Sequence, residues 1–489
     1  MVRPERLGVG LVYWPSLEPL LAPEANLVDF IEIEPQAFWT EENGQGGRLG
    51  VARGVLEKFQ RSPLPKLLHS VGCPVGGSIH PDAQQVDLLR RFATELKVPW
   101  VSEHLSFSRA RGENGEFHAL FLLPPLQTLE GVRVAVDTVR SLAARLPVPL
   151  AIETGVNYLR PRPGELPDGE FIARVASESD CGILLDLHNL YANERNGRPT
   201  VRSVLDSLPL DRVWEVHVAG GVEVDGYWLD SHSAGVPPDV MELCAELLPR
   251  LPNVRALTFE ILPVFIPRMG LEAIAKQLQD LRGLWSVEKE TSRGETRTAL
   301  ATCGGQRSKT ELSPGSWERS LAELVTGRSS SDSCSTVELS CDPGVSVLRR
   351  QIEAFRSGMV AEGLTMTLRL LLLSQGDALV RKVLSEYWQD RPPCPFASTE
   401  ARSFADFLRK KQLPVKYLPE VLEIELAMLR AHVEGQDTTV KLGVDPIALY
   451  RSLGEGDLPT QVAEGQFELT VRADEGESQL GAFPASGTR

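Results

Sequence analysis

The chain has 489 residues, 42% of them hydrophobic and 24% charged, with a formal net charge of -15 at pH 7. That length exceeds a single typical core and points to two or more domains, while the acidic balance disfavours a nucleic-acid backbone as the main partner. The seven cysteines form no CxxC pair and read as free thiols. The opening "MVRPERLGVGLVYW" has no signal-peptide stretch and "LRLLLLSQ" (368–375) is too short to span a bilayer, so a cytoplasmic protein without a membrane partner is expected.

From residue 7 to about 283, short apolar runs alternate with helical stretches. The predicted strands are "LGVGLVYW" from 7, "FIEIEP" from 30, "KLLHSVG" from 66, "WVSEHLSF" from 100, "PLAIETG" from 149, "GILLDLHN" from 182, "VWEVHVAG" from 213 and "ALTFEIL" from 256. Between them lie segments such as "AQQVDLLRRFATEL", with apolar residues at helical spacing. Eight strands separated by helices indicate a (β/α)8 TIM barrel of the α/β class. A doubly wound sheet is the competing fold, and no glycine fingerprint supports it.

The strand ends carry the chemistry. His69 ends the third, His104 the fourth, Glu153 the fifth, Asp186 and His188 the sixth, His217 the seventh and Glu260 the eighth; the next loop adds Asp230 and His232. Strand alternation would turn Asp186 and His188 toward the same face. In a barrel such positions converge at the C-terminal ends of the strands, where active sites lie. Singly, each histidine is more commonly structural than a ligand, and the carboxylates could serve acid–base chemistry without a metal. Jointly, burying several carboxylates near neutral pH requires compensating cations. Mixed imidazole and carboxylate donors suit iron, manganese or zinc better than calcium or magnesium, and nine candidates exceed the needs of one ion. His118 is open between a substrate-facing and a structural role, His80 reads as lying at a helix start and His432 on a helix far from the site, and Cys73 in the glycine-rich "SVGCPVGGSIH" is assigned no role.

The ordered series "LLHSVG", "VSEHLSF", "IET", "LLDLHNLYAN", "EVHVAG", "DSH" and "FE" resembles the multinuclear non-heme iron-dependent oxidative enzymes, over roughly residues 5 to 285. The resemblance implies a barrel holding two or three irons of mixed Fe(II)/Fe(III) state. With O2 as co-substrate, such enzymes modify a residue, often cysteine, in a ribosomally made precursor peptide presented by a partner protein. It further implies that His69, His104 and Glu153 serve one iron, with Glu153 bridging to a second held by Asp186, His217 and Glu260. His188, Asp230 and His232 form the third site, and Glu153 and His104 stand closest to the chemistry. Two departures are visible: His188 stands where many members carry asparagine, and Thr154 follows Glu153 where asparagine is common.

After residue 285 the composition turns rich in Ser, Thr, Gly and charge, so 286–344 reads as a linker. Helical patterning returns from 345, where Val345, Leu348, Ile352 and Phe355 recur on one face, and 345–489 reads as a smaller, mainly helical domain with a short β tail. "VKYLPEVLEIELAMLRA" is similar to the helical part of the partner proteins, which implies a recognition domain supplied in cis. The competing function is a metal-dependent barrel isomerase or hydrolase, of the sugar isomerase or endonuclease IV kind.

Overall fold

The computed structural model describes residues 6–41, 47–52, 54–113, 115–287, 312–328 and 338–473. Eight parallel strands lie where the sequence places them: β1 (Gly8–Val12), β2 (Phe30–Ile33), β3 (Lys66–Ser70), β4 (Val101–His104), β5 (Leu150–Glu153), β6 (Gly182–Asp186), β7 (Val213–Val224) and β8 (Ala256–Glu260). They follow the order β6-β5-β4-β3-β2-β1-β8-β7, and β7 pairs with β6 to close the barrel. Closure removes every edge and fixes the register, which sets His104 opposite Glu153, Asp186 opposite His217 and Ala219 opposite Glu260.

The strands read as continuous apolar runs because helices cover their outer faces while side chains fill the interior. Phe30, Leu67, Trp100, Ala151, Trp214 and Ala256 form one buried layer. Gly182 admits the Trp214 ring, which a Cβ there would meet at 2.3 Å. Asp82 and Thr128 cap the helices Ala83–Leu96 and Leu129–Ala143 by accepting backbone N–H bonds.

Two features of the barrel unit depart from the sequence reading. Strand β6 stops at Asp186, and the helix Leu187–Arg195 begins at the next residue, capped by Asp186 Oδ1, which accepts the Asn189 N–H at 2.8 Å. His188 therefore sits in the first turn of a helix, and strand alternation does not relate it to Asp186. The second is a helix, Pro314–Val325, inside the stretch read as a linker. Its Trp317 is buried and donates its indole N–H to Pro124 O at 2.9 Å. Glu318 accepts the Ser78 N–H at 2.8 Å and the Ser78 hydroxyl.

The chain divides into two compact units. The first gathers the described parts of 1–38, 54–325 and 329–348, so it extends well past 285; residues 288–311 and 329–337 of the expected linker lie outside the described residues. The second gathers those of 39–53, 326–328 and 349–489. It contains the helices Thr365–Gln375, Asp377–Asp390, Ala397–Lys411, Leu418–Glu434 and Pro446–Glu455, with Thr438–Val444 paired antiparallel to Glu464–Val471. A short hairpin, Trp39–Glu41 with Leu49–Val51, belongs to this unit: Glu41 accepts the Thr399 hydroxyl at 2.7 Å. Arg356 and Glu400, both buried, pair at 2.6 Å. Of the apolar face expected from residue 345, Val345, Leu348 and Ile352 are buried, whereas Phe355 is exposed.

Candidate metal centre

At the C-terminal end of the barrel, β3, β4 and β5 bring His69, His104 and Glu153 together. Glu153 Oε2 lies 2.6 Å from His104 Nε2 and 3.3 Å from His69 Nε2. The other ring nitrogens are already engaged. His104 Nδ1 faces the Ser70 carbonyl at 3.2 Å, and His69 Nδ1 lies 2.9 Å from Ser102 Oγ, whose own hydroxyl reaches the Leu68 carbonyl. A carbonyl only accepts, so each Nδ1 carries the hydrogen, and in the neutral rings both Nε2 lone pairs point at a carboxylate. Only a proton or a metal cation between them satisfies that arrangement.

Neighbouring groups continue the pattern. Glu153, Asp186 and His217 offer atoms within 4.8 Å of one another, as do Asp186, His232 and Glu260, and His188, Asp230 and His232. His217 Nδ1 lies 3.2 Å from Glu260 Oε1, and His232 Nε2 lies 2.8 Å from Asp230 Oδ1. All nine residues singled out from the sequence thus meet in one contiguous cluster. Asp230 and His232 ride on the strand Tyr227–Ala234, which folds back antiparallel on the extended end of β7. His232 has a left-handed backbone, φ 43°, a conformation costly for a residue with a Cβ.

The sequence reading missed Glu32, Glu34 and Glu215. Glu32 Oε2 lies 2.9 Å from His217 Nε2 and Glu215 Oε1 lies 3.5 Å from it, all fully buried. Glu215 also accepts the Trp100 indole N–H at 3.0 Å. Glu32 thereby stands against the outer nitrogen of His217 while Nδ1 faces the cluster, and a carboxylate beside the outer nitrogen is typical of imidazoles that bind metals. The signal was present: "FIEIEP" places Glu32 and "VWEVHV" places Glu215 on inward positions of their strands. Glu34, just past β2, faces the electrostatic field of His69, Glu260, His232 and His104.

The electrostatics show the crowding. Burial, joined by Glu260, Glu153 and Asp230, raises the Asp186 carboxyl well above its ordinary range. Burial and Glu215 push Glu32 up to about 7. Burial also opposes ionisation of Glu153, but His104 and His69 outweigh it and hold that carboxyl well below the usual range. Buried polar atoms without a hydrogen-bond partner include Glu153 Oε2, Asp186 Oδ2, Glu260 Oε2, His232 Nε2 and both nitrogens of His217. Oxygen and imidazole donors left facing one another in a buried site fit metal ions.

The remaining candidates have structural places. His118 lies half-buried on the strand Gly115–Leu123, its Nδ1 accepting the Leu120 N–H at 2.9 Å, and desolvation lowers it to about 4. His80 meets Asp137 at 3.4 Å on the surface. Cys73 is fully buried, and burial together with Glu103 raises its thiol well above its ordinary value, which disqualifies it as a nucleophile. Its loop is packed: Gly76 approaches the backbone of Leu105 and Ser106 so closely that a Cβ would lie 2.9 Å from the Ser106 nitrogen.

Known proteins resemble this chain over the barrel. The sequence model of a family described as RiPP precursor modification enzyme MbnB/TglH/ChrH matches residues 6–261. A UPF0276 protein of Anaeromyxobacter sp. (strain Fw109-5) is 32% identical over 237 residues, covering 47% of this chain and 81% of that protein. One from Streptomyces avermitilis is 32% identical over 248 residues, and the match spans 50% of this chain but only 49% of that relative. Among solved structures, a xylose isomerase domain protein from Planctomyces limnophilus shares 15% identity at a TM-score of 0.36, covering 58% of this chain and 96% of that one. No helix among the described residues is long and apolar enough to cross a membrane. With the family match running through every strand of the barrel, from β1 to the end of β8, the chain belongs to the RiPP precursor modification enzyme family MbnB/TglH/ChrH.

Proposed function

We propose that this enzyme holds two or three iron ions in the barrel cluster and uses O2 to oxidise a residue, a cysteine, of a ribosomally made precursor peptide. The observation that supports the metal reading is the pair of imidazole Nε2 atoms of His69 and His104 turned on Glu153 Oε2 while both Nδ1 atoms are spent elsewhere. Family membership supplies the peptide. Bound iron would supply O2 activation and a Lewis-acid anchor for the substrate donor. His69, His104 and Glu153 would hold one ion. Asp186, His217 and Glu260 would hold the next, sharing Glu153. Asp230 and His232 would hold the third. Glu32 orients His217 throughout. His104, Asp230 and His232 are the most accessible of these side chains, so the peptide approaches from their side. Oxidant and substrate account for the electrons as O2 reduced and peptide oxidised, with an external reductant supplying any remainder.

The second unit is the peptide-presenting part in this reading, supported by the helix Leu418–Glu434, which carries the partner-like "VLEIELAMLRA". The test is anaerobic purification, metal analysis, and O2 consumption with a candidate precursor encoded beside the gene, followed by peptide mass. Iron with O2-dependent mass change is expected. Zinc or manganese with turnover independent of O2 would favour the isomerase or hydrolase reading instead.

A further inference from the structure

The third group of the cluster contains a histidine whose two nitrogens are both committed. The His188 ring is fully buried. Its Nε2 lies 3.0 Å from Trp228 Nε1, and its Nδ1 lies 3.0 Å from Asp230 Oδ1. An indole N–H can only donate, so Nε2 must offer its lone pair to Trp228. A neutral imidazole then carries its single hydrogen on Nδ1, where it donates to Asp230. Neither nitrogen keeps a lone pair for a cation.

The indole is itself fixed. Asn196 Oδ1 accepts the Trp228 backbone N–H at 2.8 Å, while Asn196 Nδ2 donates to the Trp228 backbone carbonyl at 2.9 Å. The Arg195 guanidinium covers the ring at 4.9 Å from its centroid, and Tyr191 meets it edge-on at 5.4 Å. Gly221 leaves room for the pair: a Cβ there would lie 2.8 Å from both His188 Nε2 and Trp228 Nε1. Asp230 receives further support from Tyr158, whose hydroxyl accepts the Asp230 N–H at 3.0 Å. The carboxylate is thus aimed at His232 by a built frame.

We infer that His188 is a positioning residue, an N–H donor that holds Asp230 with its tautomer dictated by Trp228, and not a metal ligand. The inference rests on the metal reading of the cluster and reassigns one member of it. Asp230 and His232 remain the donors facing the third site, and the Trp228–His188 pair sets the direction of the aspartate.

The experiment uses the full chain, stripped of metal and refilled with zinc alone, a diamagnetic probe. Long-range nitrogen–proton NMR on histidine-labelled protein reads the tautomer, and competition with a chromophoric chelator reads zinc stoichiometry and affinity. His188 should show a protonated Nδ1 and a lone-pair Nε2 in the zinc-loaded protein. His188→Ala should keep the number of zinc ions and weaken the loosest by about 10–100-fold, the usual effect of losing an orienting partner. Trp228→Phe, which keeps an aromatic ring but removes the indole N–H with part of the bicycle, should weaken the same ion without changing the count. A metal-shifted Nδ1 on His188, or loss of one whole ion in His188→Ala with Trp228→Phe binding as tightly as the parent, would overturn the assignment. A parent that binds no zinc or iron at all would sink the metal reading, and this assignment with it.

Discussion

Replacing Trp317 with alanine tests whether the helix Pro314–Val325 is part of the barrel's fold. The indole is 1% exposed, its N–H reaches the Pro124 carbonyl at 2.9 Å, and the Arg162 guanidinium lies 5.0 Å from its ring centroid. Truncation empties the volume of an indole at a packed site, where Trp→Ala changes cost about 3–5 kcal/mol, and it leaves a buried carbonyl without its donor. At roughly 2–4 °C per kcal/mol for a large domain, the barrel transition should fall by roughly 6–20 °C. Differential scanning calorimetry of the full chain measures it, with near-ultraviolet circular dichroism assigning the transition. Iron content of the folded variant should match the parent's, because none of the proposed ligands lies on this helix. A shift corresponding to less than about 1 kcal/mol would show that the helix merely rests on the surface, and that the residue-285 boundary was right after all.

Glu153→Gln should abolish peptide oxidation and remove most bound iron, because one carboxylate faces two sites; iron content equal to the parent's would end the bridging reading. Glu32→Gln, two residues along β2 from Phe30, should lower iron affinity by about 10–100-fold through a loosened His217, measured by chelator competition; unchanged affinity would make Glu32 mere interior filling. In the second unit, burial pushes the Glu425 carboxyl up to about 7 from an ordinary 4.5, while it accepts the Met366 and Thr367 N–H groups. The fold therefore binds a proton that the unfolded chain releases. The stability it contributes is present below pH about 4.5 and is lost as pH rises through about 7. Glu425→Gln should gain on the parent across that window, by on the order of 3 kcal/mol; parallel denaturation profiles from pH 4.5 to 8 would contradict this.

The barrel was legible because largely apolar runs recur at regular intervals and those from β3 to β8 each carry a titratable residue of the cluster, two signals that survive in a single sequence. Asp186, His217 and Glu260 could be picked out because each follows a run of apolar strand residues in the sequence. Glu32 and Glu215 gave a weaker signal: their inward positions are readable, but an acidic residue within a strand looks like ordinary alternation until the closed sheet turns it toward an imidazole. His188 was misplaced for a local reason: the side chain of Asp186 starts a helix at once, so the period changes from two to 3.6 within a residue. The helix Pro314–Val325 was hidden by its neighbours. Twelve residues of helical spacing are weak beside long Ser-, Thr- and Gly-rich flanks, and the burial of Trp317 is a tertiary fact. The second unit's helices were visible in outline, but Phe355 shows that spacing alone does not say which face is covered.

The zero-length turn at Asp186 also divides the work of its carboxylate. One carboxylate oxygen, Oδ1, is spent on capping the helix Leu187–Arg195, and Oδ2 is the oxygen left without a partner. Asp186 would therefore meet an ion first through Oδ2, while Oδ1 keeps one lone pair beside the bond that starts the helix. The same side chain thus starts a helix with one oxygen and turns the other into the cluster, so loosening that helix end would also loosen the aim of the carboxylate.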